Sequence, residues 1–379
     1  MIQADRKLCM IPGPVEFHED VLAAMGTPAT SHVSPEFIGV FGECFPMLRE
    51  VLFTERGQPF VLAGSGTLGW EQVGANLIEE GDKVLVLNTG YFGDGLSVCL
   101  ETFGAKVTQI KSEIGSRPTT EDLKKHLAAD KYKIVTVTHV DTSTGVLSDV
   151  KEVARVVKEI SPETLVIVDG VCSVGSEELR MDDWNVDVVV TASQKAIGVP
   201  PGLSIVVVSE QAMGVFRDRK TPIRSYYSSW ARWLPIMQAY ESRKGAYFAT
   251  PAVQLIFALN VSLKQLIKNK MDIRFAQHRE VSAKVKNFVT DLGLKLVPKS
   301  LEVASNSMTA VYVPEGVALA ELLPALSRFG VVCAGGLLPQ ISYFRIGHMN
   351  ISVTEPDRGH IEQVLYAVKT ALEECGYNK

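Results

Sequence analysis

Two stretches, Leu165-Val166-Ile167-Val168-Asp169-Gly170 and Asp187-Val188-Val189-Val190-Thr191-Ala192-Ser193-Gln194-Lys195, decide the fold of this 379-residue chain. Each is a run of β-branched and aliphatic residues without polar alternation, so each reads as a strand covered on both faces. Such strands belong to mostly parallel sheets with crossover helices. Outward from them, the runs Pro59–Ala63, Lys83–Leu87, Lys106–Ile110, Lys133–Thr138, Thr164–Val168, Asp187–Thr191 and Leu203–Val208 alternate with helical stretches such as Thr67–Glu79, Thr119–Ala129 and Asp149–Ile160. Thr119 and Asp149 stand where helix caps belong. The expected fold class is α/β, built on a mostly parallel seven-stranded sheet.

After Ser209 the texture changes. Residues 217–250 are rich in Arg, Tyr, Trp and Ser without a clear period and read as a long irregular segment crossing the surface. Helical patterns resume at Pro251–Asn269 and Arg274–Leu292. The last hundred residues mix strand candidates (Leu294–Val297, Met308–Val313, Val331–Ala334, Tyr343–Ile346) with helices at Leu319–Phe329 and Asp357–Cys375. The expected division is an N-terminal segment 1–16, a large domain 17–268 and a smaller C-terminal α+β domain 269–379.

Composition narrows the function. Hydrophobic residues make up 46% and charged residues 21%, as in a globular protein. With 38 basic against 43 acidic side chains the net charge is −5, which argues against general nucleic-acid affinity. No apolar run nears the ~18 residues of a membrane span. The start, MIQADRKLCM, lacks a signal-peptide core, and no Arg-rich leader precedes Pro12. The six cysteines (9, 44, 99, 172, 333, 375) form no CxxC pair, and no His/carboxylate spacing argues for a metal.

Three strand ends carry candidate chemistry. Ala63-Gly64-Ser65-Gly66-Thr67-Leu68-Gly69 contains G-x-G-x-x-G before a helix, the dinucleotide fingerprint. The next strand ends Leu87-Asn88-Thr89, without the acid that holds a ribose. The loop still offers backbone N–H groups at a helix N-terminus, so it reads as a cradle for one phosphate or as a tight turn. Asp169 ends a buried strand, either as a helix cap or as the partner of a buried cationic group on a ligand. Lys195 follows another strand among small residues, where partial burial can free a nucleophilic amine. In an open parallel sheet, ligands sit outside the carboxyl ends of the strands. Ser65–Thr67, Phe92, Thr142, Asp169 and Gln194–Lys195 all follow strands at that end. Together they match the needs of pyridoxal phosphate.

The 26-residue spacing from Asp169 to Lys195 resembles the class V pyridoxal-phosphate-dependent aminotransferases. The segments Met10-Ile11-Pro12-Gly13-Pro14, Leu62–Thr67, Thr138–Gly145, Ala192–Ala196, Tyr247-Phe248-Ala249-Thr250-Pro251 and Phe344-Arg345-Ile346-Gly347 sharpen this to the alanine–glyoxylate branch. The resemblance implies fold type I of the pyridoxal-phosphate transferases and a homodimer with shared active sites. It implies that Lys195 carries the cofactor as a Schiff base and that Asp169 holds its ring nitrogen protonated. Ser65, Gly66, Thr67 and Gln194 would bind the phosphate side, Phe92 would stack on the ring, and Thr142 would touch it. Tyr247 and Thr250 would reach the neighbouring subunit's phosphate. Arg345 would grip the substrate carboxylate, with Pro12 and Gly13 beside it. Taken singly, Phe92 also reads as core, Thr142 as a turn hydroxyl, Tyr247 and Thr250 as surface residues, and Arg345 as an ion-pair partner.

The expected reaction moves the amino group of alanine to glyoxylate, giving pyruvate and glycine, a step of glycine biosynthesis or glyoxylate detoxification. Serine–glyoxylate, serine–pyruvate or hydroxykynurenine transamination on the same fold are the alternatives. An NAD-binding oxidoreductase is the rival of another class. A cysteine desulfurase would need Cys333 as a mobile nucleophile, yet it sits in an apolar run. Partners are small amino and oxo acids, with neither nucleic acid nor membrane. The expected location is the cytoplasm: the ending Gly376-Tyr377-Asn378-Lys379 is not a peroxisomal tripeptide, although relatives work in peroxisomes and mitochondria.

Overall fold

The computed structural model describes residues 6–377; residues 1–5 of the start and Asn378 and Lys379 of the ending, both read above for location, lie outside the described residues. All seven strand candidates form one sheet: β1 (Gln58–Ala63), β2 (Lys83–Asn88), β3 (Lys106–Lys111), β4 (Ile134–Thr138), β5 (Leu165–Asp169), β6 (Val188–Ala192) and β7 (Leu203–Val208). Their order is β1-β7-β6-β5-β4-β2-β3. The central strands β4 to β7 are buried along their whole length, as their continuous apolar runs require. The edge strand β3 is only partly covered and ends in exposed Lys106 and Lys111, charges that discourage edge-to-edge pairing. One strand departs from the parallel reading. β7 runs antiparallel to both β1 and β6. A strand buried on both faces has the same composition in either direction, so the sequence pattern does not reveal the reversal.

The helix starts follow their caps. Thr119 Oγ1 accepts from the Asp122 amide at 3.1 Å, and Asp149 Oδ1 from the Glu152 amide at 3.1 Å. Within 217–250, expected to be irregular, residues Trp230–Glu241 form a helix. Trp230, Trp233, Ile236, Met237 and Tyr240 of that helix are buried. Pro235 inside it and its broad aromatic coverage hide the amphipathic period.

Beyond the helix Met271–Asp291, three strands pair antiparallel: β8 (Met308–Tyr312), β9 (Ala334–Gly335) and β10 (Tyr343–Gly347). Leu294–Val297, expected as a strand, contributes only a single bridge between Leu296 and Val311. Val331–Ala334 divides: Val331–Val332 pairs in parallel with Leu8–Cys9, and Ala334 belongs to β9. Residues 8–10 are thereby built into a second core, where Leu8 and Met10 pack with Phe344, Ile346 and the helix His360–Glu374. From there residues 10–14 run toward Lys195.

Candidate active site

The carboxyl ends of β1, β4, β5 and β6 open onto a cavity of about 200 Å³ lined by Ser65, Gly66, Thr67, Trp70, Phe92, Thr138, Val140, Thr142, Asp169, Val171, Cys172, Gln194 and Lys195. Every residue expected around the cofactor from one chain is there. Ser65 precedes the helix Gly66–Leu77 without a side-chain cap bond, so its first amides remain available to an anion. A Cβ on Gly66 would lie 2.9 Å from Val171 Cγ2, so only glycine lets this turn approach β5 closely.

Asp169 ends β5, nearly inaccessible, and accepts from Trp70 Nε1 at 3.2 Å and from the Val171 amide at 3.1 Å. Burial, reinforced by the nearby Asp141 carboxylate, raises its pKa to about 6, against the pull of its donors and of Lys195. Lys195 lies in the loop Ser193–Gly202, which closes on itself: Gly198 N donates to Lys195 O at 2.8 Å, and Ser193 Oγ donates to Pro200 O at 2.8 Å. Its ammonium is buried and donates to the Pro12 carbonyl, and no carboxylate pairs with it among the described residues. Burial first, and then the Arg345 charge, hold the Lys195 amine below the usual range.

Gly13 makes room for this contact. A Cβ there would fall 2.3 Å from Lys195 Cδ, and its φ of +96° suits glycine. Arg345, on β10, is buried too; it donates to Gly335 O and Thr142 O, both at 2.9 Å, and no carboxylate pairs with it among the described residues. Phe92 is partly buried and meets Trp70 edge-on at 6.4 Å. Tyr247 and Thr250 are not brought to the cavity. Both are exposed, and Tyr247 lies against His32 at 5.1 Å between ring centroids.

Trp70, Thr138 and Cys172 line the cavity without having been singled out in the sequence. Trp70 could have been found, since it stands four residues after Gly66 on the face of the helix turned to the loop. His139 and His348 are buried and held neutral, each with a pKa near 3 because of burial.

The dinucleotide reading fails on topology. Such a fingerprint follows a central strand of a parallel sheet, whereas β1 is an edge strand paired antiparallel. The desulfurase reading fails on Cys333, whose thiol burial pushes up to about 12.

The family model "Aminotransferase class-V" matches residues 16–337. The chain belongs to the class V aminotransferases. Among relatives of this class V aminotransferase, alanine–glyoxylate aminotransferase 1 of Saccharomyces cerevisiae is 41% identical over 96% of this chain and 97% of its own. A serine–glyoxylate aminotransferase of Hyphomicrobium methylovorum is 33% identical over 97% and 90%. The solved alanine–glyoxylate aminotransferase of Nostoc sp. superposes with a TM-score of 0.91 at 27% identity, covering 98% of this chain and 96% of that one.

Class V aminotransferases use pyridoxal phosphate, and the cavity of this one passes a direct test of fit. Among the described residues, Thr138 Oγ1 and Gln194 Oε1 are buried without a protein partner and the nearby lysine has no counter-ion, while a carboxylate ends the central strand. A phosphorylated pyridine aldehyde offers a group to each. No helix among the described residues is long and apolar enough to cross a membrane.

Proposed function

We propose that the chain transfers the amino group of alanine to glyoxylate, giving pyruvate and glycine, at sites shared between two copies of itself. The observation that carries this reading is a pair of buried cations, Lys195 and Arg345, neither of which has a carboxylate partner among the described residues. A small monocarboxylic amino acid answers both: its carboxylate pairs with Arg345, and its amine and Cα then face Lys195. Beyond Lys195, the residues lining the cavity offer no cation to a donor's second carboxylate.

We assign the phosphate of the cofactor to Ser65, Gly66, Thr67 and Gln194, its ring face to Phe92, its ring edge to Thr142 and its ring nitrogen to Asp169. When bound, pyridoxal phosphate supplies an aldehyde that receives the amino group and a ring that takes up the electron pair left at Cα. Lys195 removes the Cα proton and returns one on the way to product, as general base and then acid. Its buried position favours the neutral amine that a base requires. Asp169 holds a positive charge at the ring nitrogen, and that charge in turn keeps Asp169 ionised despite burial. Arg345 grips the α-carboxylate common to alanine, glyoxylate and their products. Pro12 and Gly13 close over Lys195 and limit what can stand beside its amine.

Tyr247 and Thr250 are assigned to the phosphate bound by the neighbouring copy. Their exposure, away from this chain's own cavity, supports that role. We further propose the boundaries 1–16, 17–268 and 269–379 for the three parts of the chain.

The test is steady-state transamination by purified protein, with glyoxylate and pyruvate each offered to alanine, serine, aspartate and hydroxykynurenine. Alanine with glyoxylate should give the highest kcat/KM. Serine ahead of alanine would move the reading to a serine–glyoxylate enzyme, and no exchange with any donor would end it.

A further inference from the structure

Asp169 is held by a neighbour that the proposed reaction leaves without a task. Trp70 sits in the first turns of the helix Gly66–Leu77, and its indole N–H donates to Asp169 Oδ2 at 3.2 Å. The same ring meets Phe92 at 6.4 Å and 71°. On another side it abuts Gly95, where a Cβ would lie 3.2 Å from Trp70 Cζ3. One buried side chain therefore touches both the carboxylate assigned to the ring nitrogen and the aromatic assigned to the ring face. Indole has a donor and no acceptor, so it can bond to Asp169 but never compete with the carboxylate for a cofactor N–H.

We propose that Trp70 is a positioning residue of the cofactor site: its N–H aims Asp169 and favours its ionised form, while its ring sets the tilt of Phe92. This rests on the assignment of Asp169 to the ring nitrogen. The groups around Asp169 are few. Asp141 opposes its ionisation; the Val171 amide, Trp70 and Lys195 favour it. The His139 amide donates to the Asp169 carbonyl at 2.9 Å, and the His139 ring is neutral. Arg345 acts on Lys195 and is itself acted on by Asp141. With burial as the dominant cost, each donor to this carboxylate counts.

The experiment titrates pyridoxal phosphate into the full-length, cofactor-stripped chain below and above neutrality, for the parent, Trp70→Phe, Asp169→Asn and the double variant. Trp70→Phe keeps a ring in place and removes the donor. Its affinity should fall several-fold at mildly acid pH and little at alkaline pH, moving the acid-side loss of affinity up by about one pH unit. In the Asp169→Asn background the same change should leave the pH dependence unaltered.

A Trp70→Phe protein with the parent's pH dependence, while Asp169→Asn has lost it, would remove Trp70 from this role and leave Asp169 in its own. A uniform loss at every pH would reduce Trp70 to packing and also overturn the proposal. Asp169→Asn with the parent's pH dependence would overturn the underlying assignment first. A measurement without any change at Trp70 guards against misfolding. One of the four indole N–H resonances (Trp70, Trp184, Trp230, Trp233) should move with pH in the parent and stay fixed in Asp169→Asn. Four pH-independent resonances in the parent would count against the proposal.

Discussion

Two clusters of buried charge flank the Lys195 loop. In the seam between the main core and the second core, Arg274 donates to Gly175 O at 2.7 Å, Ala196 O at 3.0 Å and Asn350 Oδ1 at 2.9 Å. Lys286 donates to Ala304 O at 3.1 Å and Ser305 O at 2.6 Å. Glu177 accepts from Ser305 Oγ at 3.0 Å, from Asn306 Nδ2 at 2.8 Å and from the Asn306 amide. Every charge there makes two or three hydrogen bonds to the protein, and among the described residues of the seam the neutral rings of His278 and His348 keep an unpartnered nitrogen. In the cavity one carbonyl meets Lys195, and hydroxyl and amide oxygens of Thr138 and Gln194 stand unpartnered among the described residues; at its border two carbonyls meet Arg345. Burying charge costs energy unless hydrogen bonds and counter-charges offset it. In the seam hydrogen bonds within the fold meet more of this cost, although burial still draws Arg274 down to about 10 and Lys286 down to about 8; in the cavity polar atoms are left for a ligand to meet. The same residue types thus build structure in one place and a binding site in the other.

That contrast can be broken most sharply at Lys195. Lys195→Ala should lower transamination about a thousandfold without lowering the melting temperature of the cofactor-free chain, because it removes a buried cation that has no carboxylate partner among the described residues. A melt several degrees lower would show that the ammonium is structural. Arg274→Met should do the reverse. Denaturant unfolding should show a loss of about 2–4 kcal/mol from three oxygens left without their donor, while KM for alanine holds. A changed KM with intact stability would erase the distinction between seam and cavity.

Asp169→Asn should slow turnover by about ten- to a hundredfold, since a charge-assisted bond is worth about 1.5–3 kcal/mol and each 1.36 kcal/mol is tenfold in rate. Without cofactor its effect on stability reverses. The native carboxyl titrates near 6, above its ordinary 3.8, so the native state binds the proton more readily than the unfolded chain. The penalty is absent below 3.8, grows through the interval and is complete above 6. The cofactor-free variant should therefore gain about 3 kcal/mol at neutral pH, a gain that urea unfolding should show shrinking as the pH falls below 6 and gone below 3.8.

Acid acts oppositely on the seam. His278 and His348 titrate near 3 in the fold against an ordinary 6.5, so the stability that they contribute is full above 6.5 and falls as pH drops toward 3. Each histidine adds up to about 1.4 kcal/mol per pH unit in that window. Melting curves of the cofactor-free chain should steepen their decline below pH 6.5, more so in Asp169→Asn, which lacks the compensating relief. The smallest effect belongs to Tyr247→Phe. Loss of one neutral hydrogen bond, about 0.5–1.5 kcal/mol, should weaken pyridoxal phosphate binding a few-fold in equilibrium titration, and unchanged affinity would withdraw Tyr247 from the partner's site.

How much of this was legible follows from what each residue does. The seven strands could be read almost to the residue, because full burial leaves continuous apolar runs. Asp169 and Lys195 stood out because a charge closing such a run contradicts its surroundings. Arg345, Pro12 and Gly13 could be placed only through motif resemblance, since an arginine or a glycine in isolation has many uses. Trp70 could be reached only through its place four residues after Gly66, and Cys172 was silent: a cysteine among apolar residues has the composition of core. The helix Trp230–Glu241 was silent for a related reason, its Pro235 and aromatic residues masking the period. The partners of Arg274 lie 76 to 99 positions away in the chain, a distance over which local pattern says nothing.

The reversed strand β7 has a consequence for how the site comes to exist. Because β6 and β7 are antiparallel neighbours, the lysine loop Ser193–Gly202 is a hairpin return rather than a crossover through a helix. Gly202 O also receives the Gly64 amide at 2.9 Å, which ties the return to the loop Ser65–Thr67. Closing so short a loop costs little chain entropy compared with the long excursions that join the parallel strands. The lysine is therefore carried by a short-range return between two neighbouring strands, while the contacts to Pro12 and Gly64 reach that return from far along the chain.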